Sequence, residues 1–244
     1  MTTGTAAGLR AVILAGGKGV RLRPFTVNFP KPLMPLGNSP VLEVLIKRLV
    51  AFGITDITLT LGHLAELIKA YFDTHNRLAA QIQLRYVEEG EPTGTAGSLA
   101  SVPQYDDTLL VMNGDLLTDL DFDELVSFHR RHRAALTIAA HRRRVKIDLG
   151  VLERREDYRV TGYKEKPEHT YEVSMGIYVY EPRALAFIAP QTYLDFPDLV
   201  LKLIAAGEKV CAMPCDCLWL DIGRPDDYAR AQEIYAEREW EATL

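Results

Sequence analysis

Residues 14–32 read LAGGKGVRLRPFTVNFPKP. The apolar residues 11–14 form a short buried-strand pattern, and Gly16, Gly17 and Gly19 follow it directly. Glycines in that place let the backbone turn tightly and aim its N–H groups at an anion, with no Cβ in the way. Arg21 and Lys31 add positive charge on either side of the loop, which suits a triphosphate whose leaving group gains charge in the transition state. The spacing is not the G-x-G-x-x-G of a dinucleotide fold, and no G-K-[ST] ending is present. Pro24, Pro30 and Pro32 prevent a helix from starting at once.

Outward from this loop, apolar runs alternate with helical patterns, as βαβ units of a mostly parallel sheet do. Asn38, Ser39 and Pro40 are expected to cap a helix whose Val41, Leu42, Leu45, Ile46 and Leu49 recur at helical spacing, with Gly53 ending it. Strands are predicted over 57–61, 82–87 and 108–112, and helices over 65–72, 94–100 and 122–132. Beyond residue 136 the segments LTIAAH, LGVLER, YRVTGY and SMGIYVY are strand-like, which suggests mixed or antiparallel pairing and a lid over the sheet. Helices over 185–188, 199–206 and 226–239 and strands over 209–213 and 218–220 complete the pattern.

The 244 residues, 48% hydrophobic and 25% charged, suit one domain with its own core. We expect a nucleotide-binding half over about 9–135, a second half over about 136–222 and a C-terminal helix over 223–244. A net charge of −5 argues against nucleic acid as partner. The exception, HRRRVK at 141–146, reads as a solvated loop. No run approaches the ~20 apolar residues of a membrane helix, and the N-terminus lacks an apolar leader, so the expectation is a cytoplasmic protein without a membrane partner. Cys211, Cys215 and Cys217 lack a fourth ligand at zinc spacing and read as reduced, structural thiols. The six histidines form no recognisable triad with Ser or Cys, which leaves a hydrolase little support.

Asp115 closes a predicted strand in VMNGD and Asp221 stands in WLDIGRP. Two hard oxygen ligands converging on a triphosphate suit Mg²⁺, which prefers one or two carboxylates together with phosphate oxygens. Each aspartate alone is a common cap or turn former. The glycine loop is what makes them candidates.

The stretch LAGGKGVRLRPFTVNFPKPLMPLGNSP resembles the signature of the sugar-1-phosphate nucleotidylyltransferases, and the likeness extends over nearly the whole chain. WLDIGRPDDY is most similar to the endings of mannose- and heptose-1-phosphate guanylyltransferases. The resemblance implies a Rossmann-like three-layer α/β/α fold, with a mixed, mostly parallel central sheet and a small sugar-side β lid. It implies Mg²⁺ on Asp115 and Asp221, and a nucleoside triphosphate and a sugar 1-phosphate as partners. Leu14, Ala15, Gly16, Gly17 and Gly19 would hold the nucleotide, with Thr95, Asn113 and Gly114 beside it. Arg21 would clamp the β and γ phosphates and Lys31 would lie beside the α-phosphate. Val20 stands where the family usually has Thr, which removes one hydroxyl from the phosphate loop. Many relatives continue into a left-handed β-helix; none is expected here, and the oligomeric state is expected to be monomer or homodimer.

Tyr163-Lys164-Glu165-Lys166-Pro167 is similar to the family's F-x-E-K-P motif, although an isolated EKP is a common solvated turn. The likeness makes Lys166 the holder of the sugar phosphate and Glu165 an acceptor for sugar hydroxyls, with Gly150 and Ser174 as further sugar contacts. Ser174 replaces an Asn of many guanylyl relatives, and the shorter hydroxyl leaves room for a bulkier sugar such as a heptose. In EEGEPTGTAGSL, Glu89 stands where thymidylyl relatives carry Gln. A carboxylate only accepts, and guanine offers adjacent N1–H and amine donors, so Glu89 favours GTP, with the Gly94 N–H available for O6. The alternative is that Glu88 or Glu89 is a solvent-facing loop charge, and UTP, dTTP, CTP and ATP stay open. Two other classes fit the sequence less well. A non-catalytic nucleotide-sugar sensor is disfavoured by intact Arg21, Lys31, Asp115 and Asp221. An NAD-dependent oxidoreductase needs a ribose-binding acid after the second strand, where Leu61-Gly62-His63 stands instead.

Overall fold

The computed structural model describes residues 4–74, 78, 81–103 and 106–238. Strands β1 (Arg10–Ala15), β4 (Asp56–Leu61), β5 (Gln83–Glu88), β6 (Leu109–Asn113), β8 (Leu136–Lys146), β11 (Glu168–Tyr180) and β12 (Val210–Cys215) form one seven-stranded sheet. Its order is β12-β8-β11-β6-β1-β4-β5. Every neighbouring pair is parallel except the two made by β11, which runs against both β6 and β8. Shorter strands make three two-stranded additions: β2 (Pro35–Leu36) with β3 (Ser39–Pro40), β7 (Leu116–Thr118) with β13 (Trp219–Asp221), and β9 (Val151–Arg154) with β10 (Val160–Lys164).

Alternation along the central strands sorts side chains into two cores, because successive Cβ atoms point to opposite faces of a sheet. Ala11, Ile13, Leu110, Met112, Ile177 and Val179 face one core. There they meet α1 (Val41–Ala51), α2 (Ala65–Thr74) and α4 (Phe122–His132). Val12, Leu109, Val111, Leu136 and Tyr180 face the other, with α3 (Gly94–Gly97), α5 (Pro182–Leu185) and α6 (Phe196–Ala205). The architecture is a three-layer α/β/α arrangement around a mixed, mostly parallel sheet. A third cluster packs α7 (Pro225–Glu237) through Ala231 and Tyr235 against Leu22, Leu36 and Ile222, which fixes the chain that follows the glycine loop.

Several local expectations change. Ser39 does not cap α1: Pro40 takes the cap position without a side-chain bond, and the Ser39 hydroxyl donates instead to Glu43 Oε1 at 3.0 Å. Gly53, at φ +74°, follows the end of α1 as expected. The helix predicted over 94–100 is one α-turn followed by a 3₁₀ turn at Ser98–Ser101. The segment 141–146 is strand, not loop, because Glu168 to Val173 of β11 pairs with it residue by residue. Basic side chains gave it the composition of a loop, but an exposed ribbon needs no apolar alternation. The predicted helix over 185–188 sits earlier, at Pro182–Leu185, and residue 239 of the last predicted helix lies outside the described residues.

Candidate active site

Parallel strands bring their carboxyl ends to one edge. The register sets Leu14 beside Asn113, Ala15 beside Leu61, and Leu61 beside Glu88. A cleft of about 380 Å³ opens on that edge. Leu14, Ala15, Gly16, Gly17, Lys31, Glu89, Gly94, Thr95, Asn113, Gly114 and Asp115 all line it. A second cleft of about 300 Å³ adjoins the first and shares Leu14, Thr95 and Asn113 with it. Ser174 and Asp221 line this second cleft, together with Met175, Tyr178, Phe196 and Trp219.

The glycine loop is shaped by close approach. A Cβ on Gly62, at the end of β4, would stand 2.8 Å from the Gly16 carbonyl oxygen, so two loops touch backbone to backbone. Gly19 takes φ +58°, and its carbonyl accepts from the Thr26 hydroxyl at 2.6 Å. Gly17 has nothing within 4 Å of a Cβ position, so a side chain there would enter open space at the cleft.

Asp115 follows β6, and antiparallel pairing of β7 with β13 sets Asp221 opposite Leu116. The Ile222 N–H donates to the Asp115 carbonyl at 3.0 Å and locks the two turns together. Lys31 Nζ donates to Asp115 Oδ2 and lies 3.9 Å from Asp221 Oδ1. Asp115 Oδ1 is buried and without a hydrogen-bond partner among the described residues. Burial, and then the neighbouring Asp115 carboxylate, hold the Asp221 carboxyl above its ordinary value, while Lys31 and Arg21 pull it down. The Arg21 guanidinium stands beside Gly223, 3.4 Å from where a Cβ would be. Arg21 therefore flanks the acidic pair from outside the two clefts. Two close carboxylates with a bare, buried oxygen form an all-oxygen donor set that fits a hard divalent cation such as Mg²⁺.

Glu88 and Glu89 separate cleanly. Glu88 is exposed and paired with Lys69, whereas Glu89 is half-buried at the cleft wall. Burial pushes the Glu89 carboxyl up from its ordinary value, partly offset by a backbone hydrogen bond from Thr93. Ser174 lies at a bulge in β11, where the register against β8 shifts between Ser174 and Tyr178. Its hydroxyl donates to the Tyr178 hydroxyl at 3.2 Å and accepts from the Gly176 N–H at 3.3 Å. Bulges re-aim side chains.

The remaining sugar-side candidates lie elsewhere. Gly150, Glu165 and Lys166 sit on the exposed arm around β9 and β10 and line neither cleft. A Cβ on Gly150 would collide with the Tyr163 hydroxyl, which donates to Glu165 Oε2 at 3.1 Å, so these residues form a cluster of their own. Sequence reasoning missed Tyr193 and Asp195, which line the first cleft from a loop before α6. The segment QTYLDFP carries no pattern that distinguishes it from an ordinary connection.

The glycine loop and the paired carboxylates stand at the carboxyl edge of a mostly parallel sheet, the place where open α/β proteins bind ligands. The chain belongs to the Nucleotidyl transferase family, whose model matches residues 10–238. It is 34% identical over 249 residues to the UTP–glucose-1-phosphate uridylyltransferase of Synechocystis sp., covering 95% of this chain and 64% of that one. It is likewise 34% identical over 226 residues to the mannose-1-phosphate guanylyltransferase of Mycobacterium tuberculosis, covering 90% of this chain and 62% of that one. The chain thus spans less than two thirds of the length of these curated relatives. Among solved structures, HddC of Yersinia pseudotuberculosis complexed with GMP-PN superposes with a TM-score of 0.72 at 26% identity, over 93% of this chain and 99% of that one. A putative glucose-1-phosphate thymidylyltransferase from Bacillus anthracis, at 20% identity, 95% and 97% coverage and a TM-score of 0.75, shares the fold.

Proposed function

We propose that this chain is a sugar-1-phosphate nucleotidylyltransferase that condenses GTP with a hexose or heptose 1-phosphate. A phosphate oxygen of the sugar substrate attacks the α-phosphorus of the triphosphate, the bond from that phosphorus to the bridging oxygen breaks, and pyrophosphate leaves. The observation that carries this reading is the junction of the two clefts, where Lys31, Asp115 and Asp221 meet. Catalysis there is positioning and charge neutralisation, since the attacking oxygen is already anionic.

In this reading the loop from Leu14 to Gly19 holds the nucleotide. Lys31 neutralises charge at the α-phosphate, and Arg21 does so towards the departing pyrophosphate. Asp115 and Asp221 would hold Mg²⁺, which supplies further neutralisation of phosphate oxygens when bound. Lys166 would hold the sugar phosphate and Glu165 would accept from sugar hydroxyls once the exposed arm approaches the second cleft, which Ser174 lines. Glu89 selects guanine by accepting from its two donors. Half-burial of Glu89 at the cleft wall supports that assignment, as does the guanylyltransferase name of one relative. The uridylyltransferase name of another keeps UTP as the second reading.

The test is pyrophosphate release with Mg²⁺, crossing GTP, ATP, CTP, UTP and dTTP against mannose, glucose and heptose 1-phosphates. Release that needs both substrates and is fastest with GTP is the expected result. Nucleotide binding without turnover for any pair would replace the enzyme by a sensor.

A further inference from the structure

The segment Thr192–Phe196 comes from beyond β11 yet is strapped onto the loop that enters the nucleotide cleft. Asp195 Oδ1 accepts from the Thr95 backbone N–H at 3.1 Å and from the Thr95 hydroxyl at 3.3 Å. The Thr95 hydroxyl in turn accepts from the Phe196 N–H at 2.9 Å. Asp195 Oδ2 accepts from the Tyr193 hydroxyl at 2.8 Å. The backbone adds three bonds: Leu194 N–H to the Thr93 carbonyl, and the Ala96 and Gly97 N–H groups to the Leu194 carbonyl.

The fit is close enough to dictate glycine. A Cβ on Gly94, which has φ +84°, would stand 2.6 Å from the Leu194 carbonyl oxygen, and one on Gly97 would stand 2.8 Å from that of Thr192. The strap also spans the two clefts. Tyr193 and Asp195 line the first, Phe196 and Pro197 line the second, and Thr95 lines both.

We infer that Asp195 is a positioning residue, which holds Thr95 so that the loop over residues 93–97 is set for the nucleotide base before it arrives. This rests on the reading of the first cleft as the nucleotide site. The argument is one of pre-organisation. A one-turn helix has too few internal bonds to hold its own place, since a first helical turn fixes several residues for little return. Ordering it on binding would subtract from affinity. A carboxylate that takes both donors of Thr95 removes that cost in the free protein. Hydrogen bonding, first from the Thr95 backbone, keeps the Asp195 carboxyl below its ordinary value, so the acceptor is ionised at neutral pH.

Asp195→Asn and Asp195→Ala separate positioning from bulk structure. The amide oxygen of Asn reaches the same two Thr95 donors, whereas Ala reaches neither. GTP and UTP binding by calorimetry, and KM and kcat for the preferred substrate pair, are measured on both variants and the unmodified chain. The expected result for Asp195→Ala is a fall of about tenfold or more in nucleotide affinity and a matching rise in the nucleotide KM, with kcat and the sugar phosphate KM within about threefold. Asp195→Asn should lie within about threefold of the unmodified chain throughout. Nucleotide affinity unchanged in Asp195→Ala would overturn the inference. So would equal losses for both substrates with a matching fall in thermal midpoint, since that marks a general structural role. If the unmodified chain binds GTP or UTP but turns over no pair, the proposed reaction fails, while the binding arm still decides the role of Asp195.

Discussion

At the scale of the residue, the proposed chemistry rests on the acidic pair and Glu89, and their environments state what each should do. Asp115 combines a buried, unpartnered oxygen with a contact to Lys31. Replacing it by Ala removes both the proposed cation ligand and the hydrogen-bond partner of Lys31. Asp115→Ala is expected to lower Mg²⁺-dependent pyrophosphate release by about 100-fold or more, a loss of the size seen when one electrostatic stabiliser of a transition state is removed. A magnesium titration of both proteins reads it, and undiminished turnover would remove Asp115 from the site. Glu89→Gln should chiefly alter the choice of base, lowering the preference for GTP over UTP by about tenfold in kcat/KM. Only the ionised Glu89 carboxylate accepts from both guanine donors. Since burial raises its pKa, that form is lost at a higher pH than for an ordinary carboxylate. The KM for GTP is therefore expected to rise as pH falls, beginning above the usual Glu range, and Glu89→Gln should flatten this profile.

At the scale of the element, the informative contrast lies between Gly17, which lines the first cleft, and Gly62, which packs behind it against Gly16. Gly62→Ala would drive a Cβ onto the Gly16 backbone, where neither partner is a flexible side chain. It is expected to cost about 1–3 kcal/mol of stability, the usual range for forced overpacking, read by denaturant unfolding. Gly17→Ala meets nothing within 4 Å and should leave the unfolding midpoint unchanged while weakening triphosphate binding by about tenfold. A Gly17→Ala protein that binds GTP normally would move the phosphates elsewhere in the cleft. Much of this loop was legible in the sequence, because glycines after a strand have few uses. Gly62 was not, since its requirement comes from β4 ending beside β1, a neighbour 46 residues away in the chain. Ser174 shows the same limit, as the bulge that turns it into the second cleft exists only in the pairing of β11 with β8.

At the scale of the whole molecule, the sheet is held on its far side by a buried polar link that the mechanism does not use. His129 of α4 lies 2.8 Å from the Thr137 hydroxyl on β8 and 3.0 Å from Glu181 Oε1 beyond β11. Burial holds the His129 imidazole below its ordinary value of 6.5, despite the pull of Glu181. Between the lowered folded value and the unfolded one, the unfolded chain binds more protons, so stability is complete above about pH 6.5 and falls as pH drops below it. His129→Gln should flatten that part of the stability profile, measured by urea unfolding between pH 5 and 8. An unchanged profile would assign the acid sensitivity to other groups. Among the described residues no helix is long and apolar enough to cross a membrane.

The sequence alone determined where the candidate site begins, because its signals are local: glycines after a strand, Lys31 among prolines, and aspartates at strand ends. It also determined the family, since the signature is contiguous. Tertiary structure decided the rest. Glu89 rather than Glu88 faces the cleft because the end of β5 turns there, which no pattern of alternation could state. Lys31 lies between Asp115 and Asp221 only because β13 pairs with β7 across about a hundred intervening residues. Tyr193 and Asp195 reached the first cleft unannounced. Their role depends on bonds to Thr95, a residue far away in sequence, and hydrogen bonds between distant segments leave no periodicity to read.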